Sequence, residues 1–170
     1  MQEHEGIITM KGNPLTLVGS KLNVGEPAPD FEVLDNDLSA VTLSSFKDKT
    51  CVITTVPSLD TPVCNMETRR FNEEAGKLGA DAVILAISMD LPFAQKRWCG
   101  AAGVDKVVTL SDHYGASFGK AYGVLIKELR LLARAVFIVD KNGTLQYIQI
   151  VGELTHEPDY IEVLASLSQL

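Results

Sequence analysis

The sequence predicts an α/β fold in a single domain over residues 1–170: a central mixed β-sheet flanked by helices, with a β-hairpin appended over residues 1–20. Three observations predict it. Apolar strand-like runs alternate with helix-periodic stretches between residues 51 and 122, which implies mostly parallel strands covered on both faces. Two further strand-like runs meet across Asp140-Lys141-Asn142-Gly143, a hairpin signal that adds an antiparallel pair. A chain of 170 residues with 46% hydrophobic content can bury a substantial core without metal or disulfide support.

In chain order, residues 6–10 and 15–18 read as short strands around Lys11-Gly12-Asn13-Pro14, whose residue types suit a tight turn. After Gly25-Glu26-Pro27-Ala28-Pro29, the period-two run 30–34 and the short run 41–43 precede an apolar strand at 51–56. A helix is expected from about 62 to 78, a strand at Ala82–Ser88, and a short helix at 92–98 that Cys99 ends just before Gly100. A strand at 106–110, a helix at 114–122 and the hairpin strands 134–139 and 144–151 follow. The last helix is expected at about 158–168, with Thr155 or Glu157 as its cap.

The charge of −7 and the scattering of fifteen Lys and Arg argue against a phosphate-binding surface, so nucleic acid is not expected as a partner. The first residues, Met1-Gln2-Glu3-His4-Glu5-Gly6, lack the basic and apolar regions of a secretory signal, and no apolar run approaches the ~20 residues needed to cross a bilayer. A soluble cytoplasmic protein without membrane association is the expectation. In that setting three cysteines are buried filler or redox chemistry rather than a disulfide scaffold.

The run Pro57-Ser58-Leu59-Asp60-Thr61-Pro62-Val63-Cys64 lies between the strand 51–56 and the helical pattern that follows. Cys64 therefore falls in the first turn of a helix, where unpaired N–H groups and the helix dipole favour the thiolate, the form that reacts. Cys51, opening an apolar central strand, reads instead as a small core hydrophobe.

The order of elements is similar to the thioredoxin-like fold, and Pro57-x-x-x-Thr61-x-x-Cys64 resembles the peroxiredoxin active-site motif. The resemblance spans nearly the whole chain. Gly25-Glu26-Pro27-Ala28-Pro29-Asp30-Phe31 and Leu43-Ser44-Ser45-Phe46-Lys47 look like the segments before that site. Phe118-Gly119-Lys120-Ala121-Tyr122-Gly123-Val124 and Ala135-Val136-Phe137-Ile138-Val139-Asp140 look like those after it. The longer run 57–64 followed by Cys99-Gly100-Ala101, together with the N-terminal hairpin, resembles the bacterial thiol peroxidase subgroup, the atypical two-cysteine peroxiredoxins.

The resemblance implies a thiol-dependent hydroperoxide reductase. Cys64 would attack hydrogen peroxide or an organic hydroperoxide, and Cys99 would resolve the sulfenic acid as an intramolecular disulfide that thioredoxin reduces. It also implies a homodimer and no haem, flavin or metal cofactor. Breaking the O–O bond needs aligned oxygens and donors for the departing oxide. Thr61 can aim its hydroxyl at sulfur and peroxide, and Pro57 would shape the pocket. Arg134 is the cation by resemblance, with Glu67 placed one helical turn after Cys64 to hold it in a bidentate pair. Taken alone, Arg134 reads equally as a solvent-facing strand residue and Glu67 as a solvated helix residue.

Other chemistries fit less well. A dithiol oxidoreductase needs Cys-x-x-Cys, and Thr61 occupies the first of those positions. Gly115-Ala116-Ser117-Phe118-Gly119 matches a hydrolase elbow formally, yet Ser117 falls inside a helical pattern rather than directly after a strand. Lys120 is followed by Ala121, not the Ser or Thr of a phosphate loop, and His4, His113 and His156 share no ligand spacing. The non-enzymatic alternative is a thioredoxin-fold redox sensor or partner-binding protein in which Cys64 oxidises once.

Overall fold

The computed structural model describes residues 1–170. Its strands are β1 (Glu3–Met10), β2 (Asn13–Val18), β3 (Glu32–Leu34), β4 (Ala40–Thr42), β5 (Thr50–Thr55), β6 (Ala82–Ser88), β7 (Val108–Ser111), β8 (Leu125–Ile126), β9 (Ala135–Val139) and β10 (Leu145–Ile150). Four helices accompany them: α1 (Pro62–Ala75), α2 (Pro92–Ala102), α3 (Ser117–Ala121) and α4 (Tyr160–Ser168). No helix is long and apolar enough to cross a membrane.

Seven strands form one sheet in the order β10-β9-β5-β6-β7-β3-β4. Parallel pairing is confined to β5, β6 and β7; β9 and β10 on one side and β3 and β4 on the other run antiparallel to their neighbours. The sheet is therefore mixed, and less parallel than the central alternation alone suggests. Every residue of β5 is buried. An uninterrupted run of apolar and β-branched residues is what a central strand covered on both faces requires.

Because successive side chains point to opposite faces, Ile53 and Val52 feed two cores. On one face Ile53, Leu85, Ile87, Leu110 and Phe137 pack with Phe118 of α3 and with Ile8 and Leu17 of the hairpin. On the other, Val52, Ile84, Val136 and Ile138 pack with Cys64 and Phe71 of α1, Trp98 of α2 and Val163 of α4.

The N-terminal hairpin turns through Lys11 and Gly12, both at positive φ, the two-residue geometry that matches strand twist. It gains a third strand, β8, which pairs with β2 through Leu17 and Val18. Beside that pairing two backbones touch. Gly19 and Gly123 both have positive φ, and a Cβ on either would lie 2.2 Å from Lys120 O or 2.1 Å from Ser20 O respectively. Gly123→Ala should therefore cost about 3 kcal/mol, as backbone strain and overpacking combine. Urea unfolding of the variant measures it.

Four helix boundaries differ from expectation, the first being that α1 ends at Ala75, with Gly76 as its C-cap, rather than reaching 78. Helix α2 does not stop at Gly100; it runs to Ala102 and ends at Gly103, whose left-handed φ of 68° lets its N–H donate to Cys99 O. Helix α3 begins only at Ser117, because Ala116 is left-handed and the Asp112 carboxylate takes up the N–H groups of Phe118 and Gly119. Helix α4 is capped by Asp159, which accepts from Glu162 N at 3.0 Å. Thr155 instead donates to Glu153, and Glu157 precedes a proline, which disfavours helical backbone there.

Candidate active site

The reactive-thiol candidate is built at the carboxyl end of β5, where the chain passes through Pro57 to Asp60 into α1. Thr61 is the N-cap of α1, with Pro62 at the first helical position. Its hydroxyl accepts from Cys64 N at 3.3 Å and donates to Ser58 O at 3.2 Å. The hydroxyl that the sequence directs at sulfur thus fixes the backbone of Cys64 instead. Pro57 is buried, and Asp90 holds the loop that follows it, accepting from Ser58 Oγ at 2.7 Å and Leu59 N at 2.8 Å.

The sulfur of Cys64 is fully buried. Arg134, 2% exposed, donates from Nη2 to that sulfur at 3.3 Å. It is not a solvent-facing arginine: it sits one residue before β9 with every nitrogen engaged. Nη1 donates to Glu67 Oε2, while Nε and Nη2 donate to the Leu154 carbonyl at 3.1 and 2.8 Å. Glu67 is likewise buried rather than solvated. The pairing is through one oxygen, not bidentate, because Thr54 Oγ1 donates to the other carboxylate oxygen at 2.6 Å and Nη2 is drawn to sulfur. Burial pushes the Glu67 carboxyl up to about 7 against the downward pull of Arg134 and Thr54. The guanidinium supplies the countercharge and hydrogen bond that a buried sulfur anion requires.

The family model for Redoxin matches residues 23–164. The chain belongs to the redoxin family. It is 58% identical to a thiol peroxidase of Bacillus subtilis over 90% of this chain and 91% of that protein, and 56% identical to a thiol peroxidase of Oceanobacillus iheyensis over 95% and 98%. Among solved structures, a peroxiredoxin-like protein from Aquifex aeolicus is 45% identical with a TM-score of 0.90, covering 98% of each chain. A thiol peroxidase from Chromobacterium violaceum, 20% identical, shares the fold with a TM-score of 0.85 over 95% of each chain.

In this redoxin Cys99 lies in the last turn of α2, half-buried, with its Sγ 3.4 Å from Thr109 Oγ1 on β7. It packs against the same core as Cys64, and no disulfide joins the three cysteines. Cys51 is at the far end of β5 from Cys64. It lines a cavity of about 440 Å³ with Phe46, Lys49 and Val139. That cavity is not the reactive site: burial pushes the Cys51 thiol up to about 11, with Lys49 opposing only in part, so it stays protonated. Ser117 Oγ accepts from Glu32 N, a structural contact with no triad geometry.

Two parts of the redoxin site escape sequence reading. Thr54 had a signal, a hydroxyl inside an otherwise apolar strand. The Leu154 carbonyl had none, because a main-chain oxygen leaves no mark in residue type.

Proposed function

We propose that the chain is a hydroperoxide reductase with Cys64 as peroxidatic nucleophile and Cys99 as resolver. The observation that carries this reading is the Arg134 hydrogen bond to Cys64 Sγ at the capped start of α1. The Cys64 thiolate attacks one peroxide oxygen, the O–O bond breaks, and the departing oxide leaves as water or an alcohol after taking a proton. Arg134 and the N–H groups of the first helical turn stabilise the charge as it moves from sulfur to the departing oxygen. The Cys99 thiol then attacks the Cys64 sulfenic sulfur, water leaves, and a disulfide forms. An external dithiol, for which we propose thioredoxin, reduces it by exchange.

Resolution requires Cys99 to leave Thr109, so the end of α2 must open. Two features support such opening. Gly100 weakens the last turn from within the helix, and the only buried side-chain polar atoms without a partner, Gln95 Oε1 and Trp98 Nε1, both lie on α2. Closing the 64-to-99 loop restricts the unfolded chain by about 4 kcal/mol, which offsets part of the cost of opening. The reading further takes the protein as cytoplasmic and homodimeric.

One equivalent of hydrogen peroxide followed by disulfide mapping tests the cycle. A Cys64–Cys99 bond within the chain, reopened by thioredoxin, is expected; free Cys99 after oxidation would favour a sensor that oxidises once. Cys99→Ser should keep the first oxidation at its wild-type rate and then stall as sulfenic or sulfinic acid, visible by mass as the addition of oxygen atoms to Cys64.

A further inference from the structure

We propose that the N-terminal hairpin is a strut for Arg134, with Glu153 as the positioning residue that joins the two. The connection can be followed bond by bond. Arg134 is aimed at Cys64 by the Leu154 carbonyl, which accepts from both Nε and Nη2. Leu154 belongs to the segment after β10, and that segment is pinned to β1: Thr9 N donates to Gly152 O and Leu154 N to Thr9 O, each at 2.8 Å. Glu153 locks the arrangement with its carboxylate. Oε1 accepts from Thr9 Oγ1 at 3.0 Å and from Gly12 N in the hairpin turn at 2.9 Å. Oε2 accepts from Thr155 N at 2.9 Å and Thr155 Oγ1 at 2.7 Å.

One side chain thus ties the hairpin turn to the loop that holds the guanidinium. These donors hold the Glu153 carboxyl well below the usual carboxylate range, so it accepts as a carboxylate across the working pH range. The hairpin is itself anchored in the core through Ile8 and Leu17, which gives the strut a rigid base. Without it the Leu154 carbonyl would rest on a surface loop, and a shift of that oxygen moves the guanidinium relative to sulfur. Geometry of this kind governs how well a donor meets the charge developing on a departing oxygen.

The inference rests on reading Cys64 and Arg134 as the reacting pair, and the test separates the two. Glu153→Ala should lower the rate constant for Cys64 oxidation by hydrogen peroxide about tenfold, followed by stopped-flow fluorescence of the single Trp98. In an Arg134→Lys background the same change should cost less than about twofold, because Glu153 acts through the guanidinium; a purely structural role would give the same factor in both. Glu153→Gln, whose amide oxygen still receives Thr9 and Gly12, should recover most of the rate. Should Glu153→Ala fail to fold, Thr9→Val and Glu153→Gln carry the comparison.

A second readout does not depend on activity. The buried Nε–H of Arg134 should exchange slowly with solvent in the wild type and markedly faster in Glu153→Ala, seen by NMR of the arginine side chains. Unchanged exchange together with an unchanged oxidation rate would overturn the strut. Faster exchange in Glu153→Ala, with no loss of oxidation rate there or in Arg134→Lys, would leave the strut standing and overturn the assignment of the reacting pair.

Discussion

Serine at position 64 should abolish peroxide turnover, leaving only the uncatalysed rate. A hydroxyl stays protonated where a thiol can ionise, and neutral oxygen is a poor nucleophile toward the O–O bond. The substitution is close to isosteric, and the Thr61 hydroxyl holds the main-chain N–H at position 64 rather than its side chain, so α1 should stay capped. Loss of activity with an unchanged melting temperature is the expected pair of results, measured as peroxide consumption with thioredoxin supplied. Cys51→Ala, which removes only a core thiol, should retain turnover. Full activity in Cys64→Ser would remove the basis for the proposed cycle.

Arg134→Met should have the next largest effect, and on two quantities at once. Removing a preorganised donor from a developing anion costs about 10² to 10³ in rate. Removing one member of a buried ion pair also strands the other, at about 3–5 kcal/mol of stability. The double variant Arg134→Met/Glu67→Leu separates the two: stability should return in large part while the rate stays low. The stability loss in the single variant should also depend on pH. Burial lifts the folded Glu67 carboxyl from 4.5 to about 7, so the native state binds this proton more tightly than the unfolded chain. That contribution is complete below the unfolded value and lost as pH rises through the folded one. Without Arg134 the carboxyl loses its cation and moves further up, so the deficit of the variant should be larger at about pH 8 than at about pH 5, the growth setting in above about pH 7. Urea titrations at the two pH values measure it; a constant deficit would contradict a buried, titrating Glu67.

The parts of the fold that were legible are those where local chemistry and tertiary packing agree. Strand β6 matches its predicted limits, and the Asp140-Lys141-Asn142-Gly143 turn was visible because Asp140 can accept from two following N–H groups while Gly143 takes a positive φ. Helix ends were less legible. Gly100 and Gly103 are equivalent as letters, and only the packing of α2 on β7 decides which of them turns left-handed. Of the site, Cys64 and Thr61 could be read from their place at a strand-to-helix junction. Arg134 and Glu67 could not be read from their own surroundings, since each is buried only because the other is present, 67 positions away. Their pairing entered through family resemblance, and its one-oxygen geometry depends on Thr54, which no motif includes.

The placement of Cys51 has a consequence for electron stoichiometry. With this thiol enclosed at the far end of β5 and held protonated, a chain of three cysteines leaves only the two on α1 and α2 for the proposed redox cycle. An odd number of thiols then behaves as an even one. In the proposed cycle each chain gives two electrons to one peroxide as its two thiols close to one disulfide and takes two back from the external dithiol, with no leftover thiol at the surface to bridge two molecules covalently under oxidative load.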